Sequence, residues 1–186
     1  MSPYENLPDT QWKKVTKKLV NEHPLSSDIL IDTVLEAWNG ILKTKIADEL
    51  QIGKDIFPTP QILGNYLHEL IPVFLEKKYP GQWTRDIEKK DKDLVCVANP
   101  YYSVEIKTSS NANNIYGNAS YGQEDSASAS SKTKDGYYLA VNFEKFNPSN
   151  KDFIPRIRKI RFGWLDHSDW HSQNASSGQA ATISPT

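Results

Sequence analysis

Three ionisable residues in this sequence are spaced so that they could act together: Asp93, Glu105 and Lys107. They lie in Asp93-Leu94-Val95-Cys96-Val97, the turn Ala98-Asn99-Pro100, and Tyr102-Ser103-Val104-Glu105-Ile106-Lys107-Thr108. Glu105 and Lys107 are two apart in a strand-like run, so their side chains leave the same face with Cα atoms roughly 7 Å apart, while Val104 and Ile106 turn to the core. Asp93 opens the partner strand, and an antiparallel turn through Asn99-Pro100 brings it toward the far end of the second strand. Two carboxylates and an ammonium meeting at one edge can hold a hard divalent cation and orient or deprotonate a water, which is what phosphodiester hydrolysis requires. The same spacing also describes an ordinary half-exposed strand with one cross-strand salt bridge. Asp91 competes with Asp93 for the metal role, but Asp93 abuts the apolar run and is better fixed by packing.

The elements that must position these residues are read from the rest of the chain. At 186 residues it fits one domain with a sizeable core. With 24% charged and 38% hydrophobic residues it has globular composition, and no apolar run approaches the roughly eighteen residues of a membrane span. No membrane partner is expected. The start, Met-Ser-Pro-Tyr-Glu-Asn, shows no secretory signal, and the single cysteine, Cys96, allows no internal disulfide, so a cytoplasmic location is expected. Four scattered histidines and one thiol offer no zinc cluster. A net charge of −1 argues against non-specific coating of nucleic acid. Bases do cluster, at Lys13, Lys14, Lys17 and Lys18 and at Arg156, Arg158, Lys159 and Arg161, so a basic cleft fits within a neutral protein.

Asp9 or Thr10 can cap a helix to about Glu22, with Trp12, Val15 and Leu19 on its apolar side. His23-Pro24 breaks it, and Ser26-Ser27 starts a second helix with a broad stripe from Ile29 to Leu42. Thr59 and Pro60 open a third, about Gln61 to Lys78. On its wheel Glu69 falls between Ile62 and Val73, at the edge of the apolar stripe, where a carboxylate needs a partner or a metal. Glu69 is therefore a candidate outer ligand, with a surface glutamate as the plain alternative. After Gly81 the period becomes strand-like: Gln82 to Ile87, Asp93 to Val97 and Tyr102 to Ser109 form a meander. Gly136 to Phe143 reads as a central strand, and Arg156 to Trp164 as a strand with basic side chains outward.

Ser109 to Asp135 lacks apolar periodicity and is rich in Ser, Asn, Gly and Tyr, which points to a functional loop or a linker. Its amides can pair with base edges in the major groove. Asn111, Asn113, Asn114, Tyr116, Asn118, Ser120, Tyr121 and Gln123 are the candidate DNA contacts here, with Arg156, Arg158 and Arg161 from the basic strand. The tail from Gln173 reads as a frayed terminus or a second contact loop.

Asp93, the Glu105-Ile-Lys107-Thr-Ser-Ser110 run, the helix bearing Glu69 and the loop Tyr116-Gly-Asn-Ala-Ser-Tyr-Gly122 together resemble type II restriction endonucleases of the PD-(D/E)XK superfamily. Arg161-Phe-Gly-Trp-Leu-Asp-His-Ser-Asp-Trp170 and Ser177-Gly-Gln179 look most like the ScaI-type group. The resemblance covers about Gln61 to Gln179; Lys92 stands where the superfamily often has proline. It implies an α/β fold: a restriction-endonuclease-like mixed sheet flanked by helices, with a helical N-terminal third. It implies one nuclease domain over 1–186, with a helical part at 1–60, a catalytic core at 61–108, a DNA-recognition loop at 109–135 and the rest of the sheet and tail at 136–186. By position Asp93, Glu105 and the Ile106 carbonyl would bind Mg²⁺, with Mn²⁺ as a substitute; Lys107 would orient the attacking water and Glu69 would be an auxiliary acid. The implied activity is hydrolysis of both strands of a short palindromic double-stranded DNA site by a homodimer. A non-specific or structure-specific nuclease, or an inactive DNA-binding protein of the same fold, would share these features.

Overall fold

The run Gly136–Phe143 is buried along its whole length, as expected of apolar residues that continue without a polar alternate and must be covered on both faces. In the computed structural model this run is β7, at the centre of the fold. The structure describes residues 2–122, 133–147, 149–172 and 180–183. A small hairpin, β1 (Lys45–Ile46) and β2 (Leu50–Gln51), stands apart from the main sheet. The main sheet has the order β3 (Trp83–Arg85), β4 (Leu94–Cys96), β5 (Val104–Ser109), β7 and β8 (Ile157–Leu165). The expected meander is β3, β4 and β5; β7 then pairs parallel to β5, and β8 antiparallel to β7, so the sheet is mixed.

Three helices, α1 (Asp9–Glu22), α2 (Ser27–Lys43) and α3 (Pro60–Lys78), supply the helical part. The Ser26 hydroxyl caps α2 by accepting from the Ile29 N–H at 3.3 Å. Leu30, Val34, Trp38 and Ile41 of α2 and Leu63, Leu67, Ile71 and Leu75 of α3 join one core with Val104, Ile106, Leu139 and Val141. Pro60 sits in the first turn of α3, where its missing N–H costs nothing. Gly64 lets α3 approach β5, since a Cβ there would stand 2.6 Å from Thr108 Oγ1. α1 buries no residue and contributes Leu19 to the core margin, packing along the edge strand β8.

Within the stretch read as a functional loop or linker, and within the tail read as a frayed terminus or second contact loop, the described residues include short strands. β6 (Tyr116–Asn118), β10 (Ala180–Ile183) and β9 (Trp170–Ser172) form a second antiparallel sheet, with β10 in the middle. Its residues and the neighbouring turn enclose a second core of Ile115, Tyr121, Trp170 and Ala181 against Tyr138 and Ala140 on the far face of β7. Strands of three or four residues are too short to show a period of two, and they pair across distant segments such as Gly117 with Ala181.

His23, where the first helix was expected to break, joins the helical layer to the β4–β5 connection. It is buried; the Leu25 N–H donates to Nδ1 at 3.1 Å, so Nε2–H donates to the Tyr102 carbonyl at 2.9 Å. Rings of Trp83, Tyr102, Tyr137 and Phe162 surround it. Burial lowers its pKa from the ordinary 6.5. The unfolded chain then takes up a proton that the folded state refuses, so stability is lost as the pH falls below about 6.5. Melting temperatures measured from pH 7.5 down to 5 should fall, and His23→Gln should flatten that dependence.

Candidate active site

The site begins with strand alternation. Across β5 and β7, Glu105 lies beside Tyr138, Lys107 beside Ala140 and Ser109 beside Asn142. These residues share the face opposite the main core, beneath the second sheet. Glu105 is 3% exposed, so it is not the half-exposed glutamate of a plain surface strand. Lys107 Nζ donates to Glu105 Oε1 at 2.6 Å, and the Tyr121 hydroxyl donates to the same oxygen at 2.7 Å.

Asp93 reaches this strand through the backbone. Its Oδ2 accepts from the Ile106 N–H at 2.6 Å, a position the neighbouring strand would otherwise bond, since β4 and β5 pair only at Leu94 and Val104. Asp93 is thereby held at the residue between Glu105 and Lys107. The residue before it, Lys92, is buried and donates to the Asp135 carbonyl at 2.9 Å, tying this end of β4 to the start of β7. Asp91 has a different setting: its Oδ2 accepts from the N–H groups of Ile87 and Glu88 at 3.1 and 2.9 Å and closes the preceding turn.

α3 presents His68 to this site, with Nδ1 3.6 Å from Asp93 Oδ2. Glu69, the residue expected there, is exposed. Of the two residues that flank Glu69 on the wheel, Ile62 and Val73, Ile62 is itself 46% exposed. His68 lies four residues after Gly64 and three before Ile71, both buried, and that spacing is the signal that could have identified it.

Tyr121 is the second departure. It was assigned to base reading, yet it is buried in the second core with its hydroxyl on Glu105. Burial, followed by the charge of Glu105, raises the phenol well above its ordinary value, which keeps it a donor at neutral pH. Tyr138 is raised for the same reasons, and its hydroxyl donates to the Lys134 carbonyl at 2.5 Å.

Several of the remaining candidates gather around the Asn111 turn. Asn111 Oδ1 accepts from the N–H groups of Asn113 and Asn114, both at 3.0 Å, shaping a tight turn. Asn142, fully buried, donates through Nδ2 to the carbonyls of Asn111 and Asn114 at 2.8 and 2.9 Å. Arg161 donates to Asn142 Oδ1 at 2.6 Å and to the Asn113 carbonyl at 2.7 Å, and Lys159 donates to Asn113 Oδ1. Asn142 was missed, although a lone amide in an apolar strand is a visible signal. Tyr116 is half-buried and accepts from Asn111 Nδ2 at 3.4 Å, whereas Asn118 and Ser120 are exposed. Arg158 pairs with Glu144 at 3.6 Å, and the Arg156 backbone N–H donates to the same carboxylate. Gln123, Ser177 and Gln179 lie outside the described residues.

The donor set at Asp93, Glu105 and the Ile106 carbonyl consists of hard oxygens, which suits Mg²⁺ or Mn²⁺ and not a thiophilic metal. Among the described residues no group of three or more His, Cys, Asp or Glu side chains could hold a metal ion. Asp93, Glu105 and the Ile106 carbonyl would supply two carboxylates and one carbonyl to such a cation.

The ScaI restriction endonuclease family model matches residues 2–186. The chain is 44% identical over 182 residues to a protein of Streptomyces caespitosus described as type II restriction enzyme ScaI, covering 98% of this chain and 79% of that relative. No solved structure matches it.

Proposed function

We propose, from the premise that this chain belongs to the ScaI restriction endonuclease family, that Asp93, Glu105 and Lys107 form a Mg²⁺-dependent centre cutting both strands of a short palindromic DNA site. As a member of that family the chain is a type II restriction endonuclease, and its reaction is site-specific cleavage of DNA. The observation that carries the residue assignment is the pair Glu105–Lys107 on one strand face, with Asp93 bonded to the N–H between them.

When bound, Mg²⁺ or its substitute Mn²⁺ offsets charge on the scissile phosphate and lowers the pKa of a water. Asp93, Glu105 and the Ile106 carbonyl would hold the ion. Lys107 brings a positive charge and a hydrogen-bond donor to the same place, where it orients the attacking water and offsets phosphate charge. His68, with Nδ1 3.6 Å from Asp93 Oδ2, is the α3 side chain beside the centre, and Glu69 next to it is the outer carboxylate. The Asn111–Asn114 turn, clamped by Asn142 and Arg161, offers a pre-shaped rim that reads base edges, with Asn118 and Ser120 alongside it and Arg156 and Arg158 on phosphates.

A homodimer follows from a palindromic site, because two-fold protein symmetry mirrors two half-sites. We place the chain in the cytoplasm as one nuclease domain. Purified protein incubated with phage DNA should give discrete fragments with Mg²⁺ and none with a chelator. A smear, or an absence of cleavage with both Mg²⁺ and Mn²⁺, would refute the proposal. Sedimentation of a monomer both free and on a cognate duplex would refute the dimer.

A further inference from the structure

We propose that Tyr121 is the positioning residue of this active site: its hydroxyl fixes Glu105, and its ring carries the ammonium of Lys107. The inference rests on reading Glu105 and Lys107 as the catalytic pair. Three observations support it. The hydroxyl donates to Glu105 Oε1 at 2.7 Å, the same oxygen that Lys107 Nζ reaches at 2.6 Å. Lys107 Nζ also lies 4.5 Å from the centre of the Tyr121 ring, within cation–π range. One side chain thus touches both members of the pair.

The third observation is that the fold is cut to seat this ring. A Cβ on Gly117 would stand 2.9 Å from Tyr121 Cγ and 3.1 Å from Trp170 Cζ3, so β6 must carry glycine where the tyrosine lies over it. Trp170, from β9, packs on the ring from another side at 4.8 Å between centroids. The second sheet, which has no part in the main core, thereby sets the position of a residue on the catalytic strand.

The chemical consequence is preorganisation. A glutamate side chain has three rotatable bonds, and a lysine has four. A donor on Oε1 and a π-face under the ammonium restrict both before cation and DNA arrive, so less orientation remains to be imposed during reaction. A buried tyrosine that merely fills space would pack equally well as phenylalanine and would affect neither the cation requirement nor the rate.

Tyr121→Phe separates these cases, because it keeps the ring and removes only the donor. The expected result is an unchanged KM for DNA, unchanged metal-free DNA affinity by gel shift, a kcat lowered roughly tenfold or more, and a severalfold rise in the Mg²⁺ concentration giving half-maximal rate. A readout independent of turnover is Mn²⁺ binding to the DNA-free protein, followed by the EPR signal of free Mn²⁺, where affinity should fall severalfold. Gly117→Ala, which presses on the ring without touching the hydroxyl, should give the same split in milder form and supplies the test if Tyr121→Phe does not fold. Values of kcat, Mg²⁺ requirement and Mn²⁺ affinity all within twofold of the parent overturn the proposal. So does a loss of DNA affinity at unchanged kcat, which would make Tyr121 a DNA contact. If Glu105→Gln and Lys107→Ala themselves cleave at the parental rate, the catalytic pair is misassigned, and that outcome is distinct from a failure at Tyr121 alone.

Discussion

Lys107→Ala should abolish cleavage while leaving DNA binding largely intact. The lysine's role is local: its ammonium donates to Glu105 at 2.6 Å and its stem lies on the site face of β5, away from the main core. Removing one positioned donor from a charge-developing centre typically costs about 10²- to 10³-fold in rate, and here the same residue also brings the positive charge. The proposed DNA contacts lie on other residues, so the gel shift should change little. The truncation also removes the ion pair between Lys107 and the buried Glu105, so some stability is lost as well. Melting curves beside plasmid cleavage separate the two effects. Cleavage at the parental rate by folded Lys107→Ala would exclude this lysine from the mechanism.

The second large effect is a contrast between two aspartates two residues apart. Asp93→Asn should reduce cleavage to a comparable extent, because an amide keeps the acceptor for the Ile106 N–H but loses the charge that a divalent cation needs. Asp91→Asn should retain near-parental cleavage, because its carboxylate serves the N–H groups of Ile87 and Glu88 and an amide oxygen can do the same. Paired assays at saturating Mg²⁺ are the measurement. An inactive Asp91→Asn beside an active Asp93→Asn would transfer the metal role to Asp91 and overturn the proposed geometry.

Several candidate residues sit in surroundings that local pattern does not show, and one physical cause recurs. Glu69 and His68 are neighbours on α3, and a wheel that sets Glu69 between Ile62 and Val73 does not show that Ile62 is itself on the outer face, that Glu69 is exposed and that His68 is the one beside Asp93. Tyr121 looked like a base reader because its segment is polar and aperiodic, the pattern of a contact loop. Its burial depends on Trp170 and Ala181 arriving from the end of the chain, which local pattern does not encode. Arg161, a candidate DNA contact, is exposed and donates through one guanidinium nitrogen, Nη2, to the Asn113 carbonyl and to the buried Asn142.

The sequence by itself determined what depends on neighbours within a turn or two. Helix starts at Ser26 and Pro60 follow from capping and from the fixed φ of proline, and the shared face of Glu105 and Lys107 follows from the two-residue pleat. So does the burial of Val104 and Ile106 on the opposite face. Only the tertiary structure decided what meets that face: Asp93 on the backbone N–H of Ile106, His68 beside Asp93, and Tyr121 on Glu105. Those meetings span 13, 25 and 16 residues, and they are fixed by how α3 and the second sheet pack on the central strands. A periodicity of two or 3.6 residues carries no information at that range.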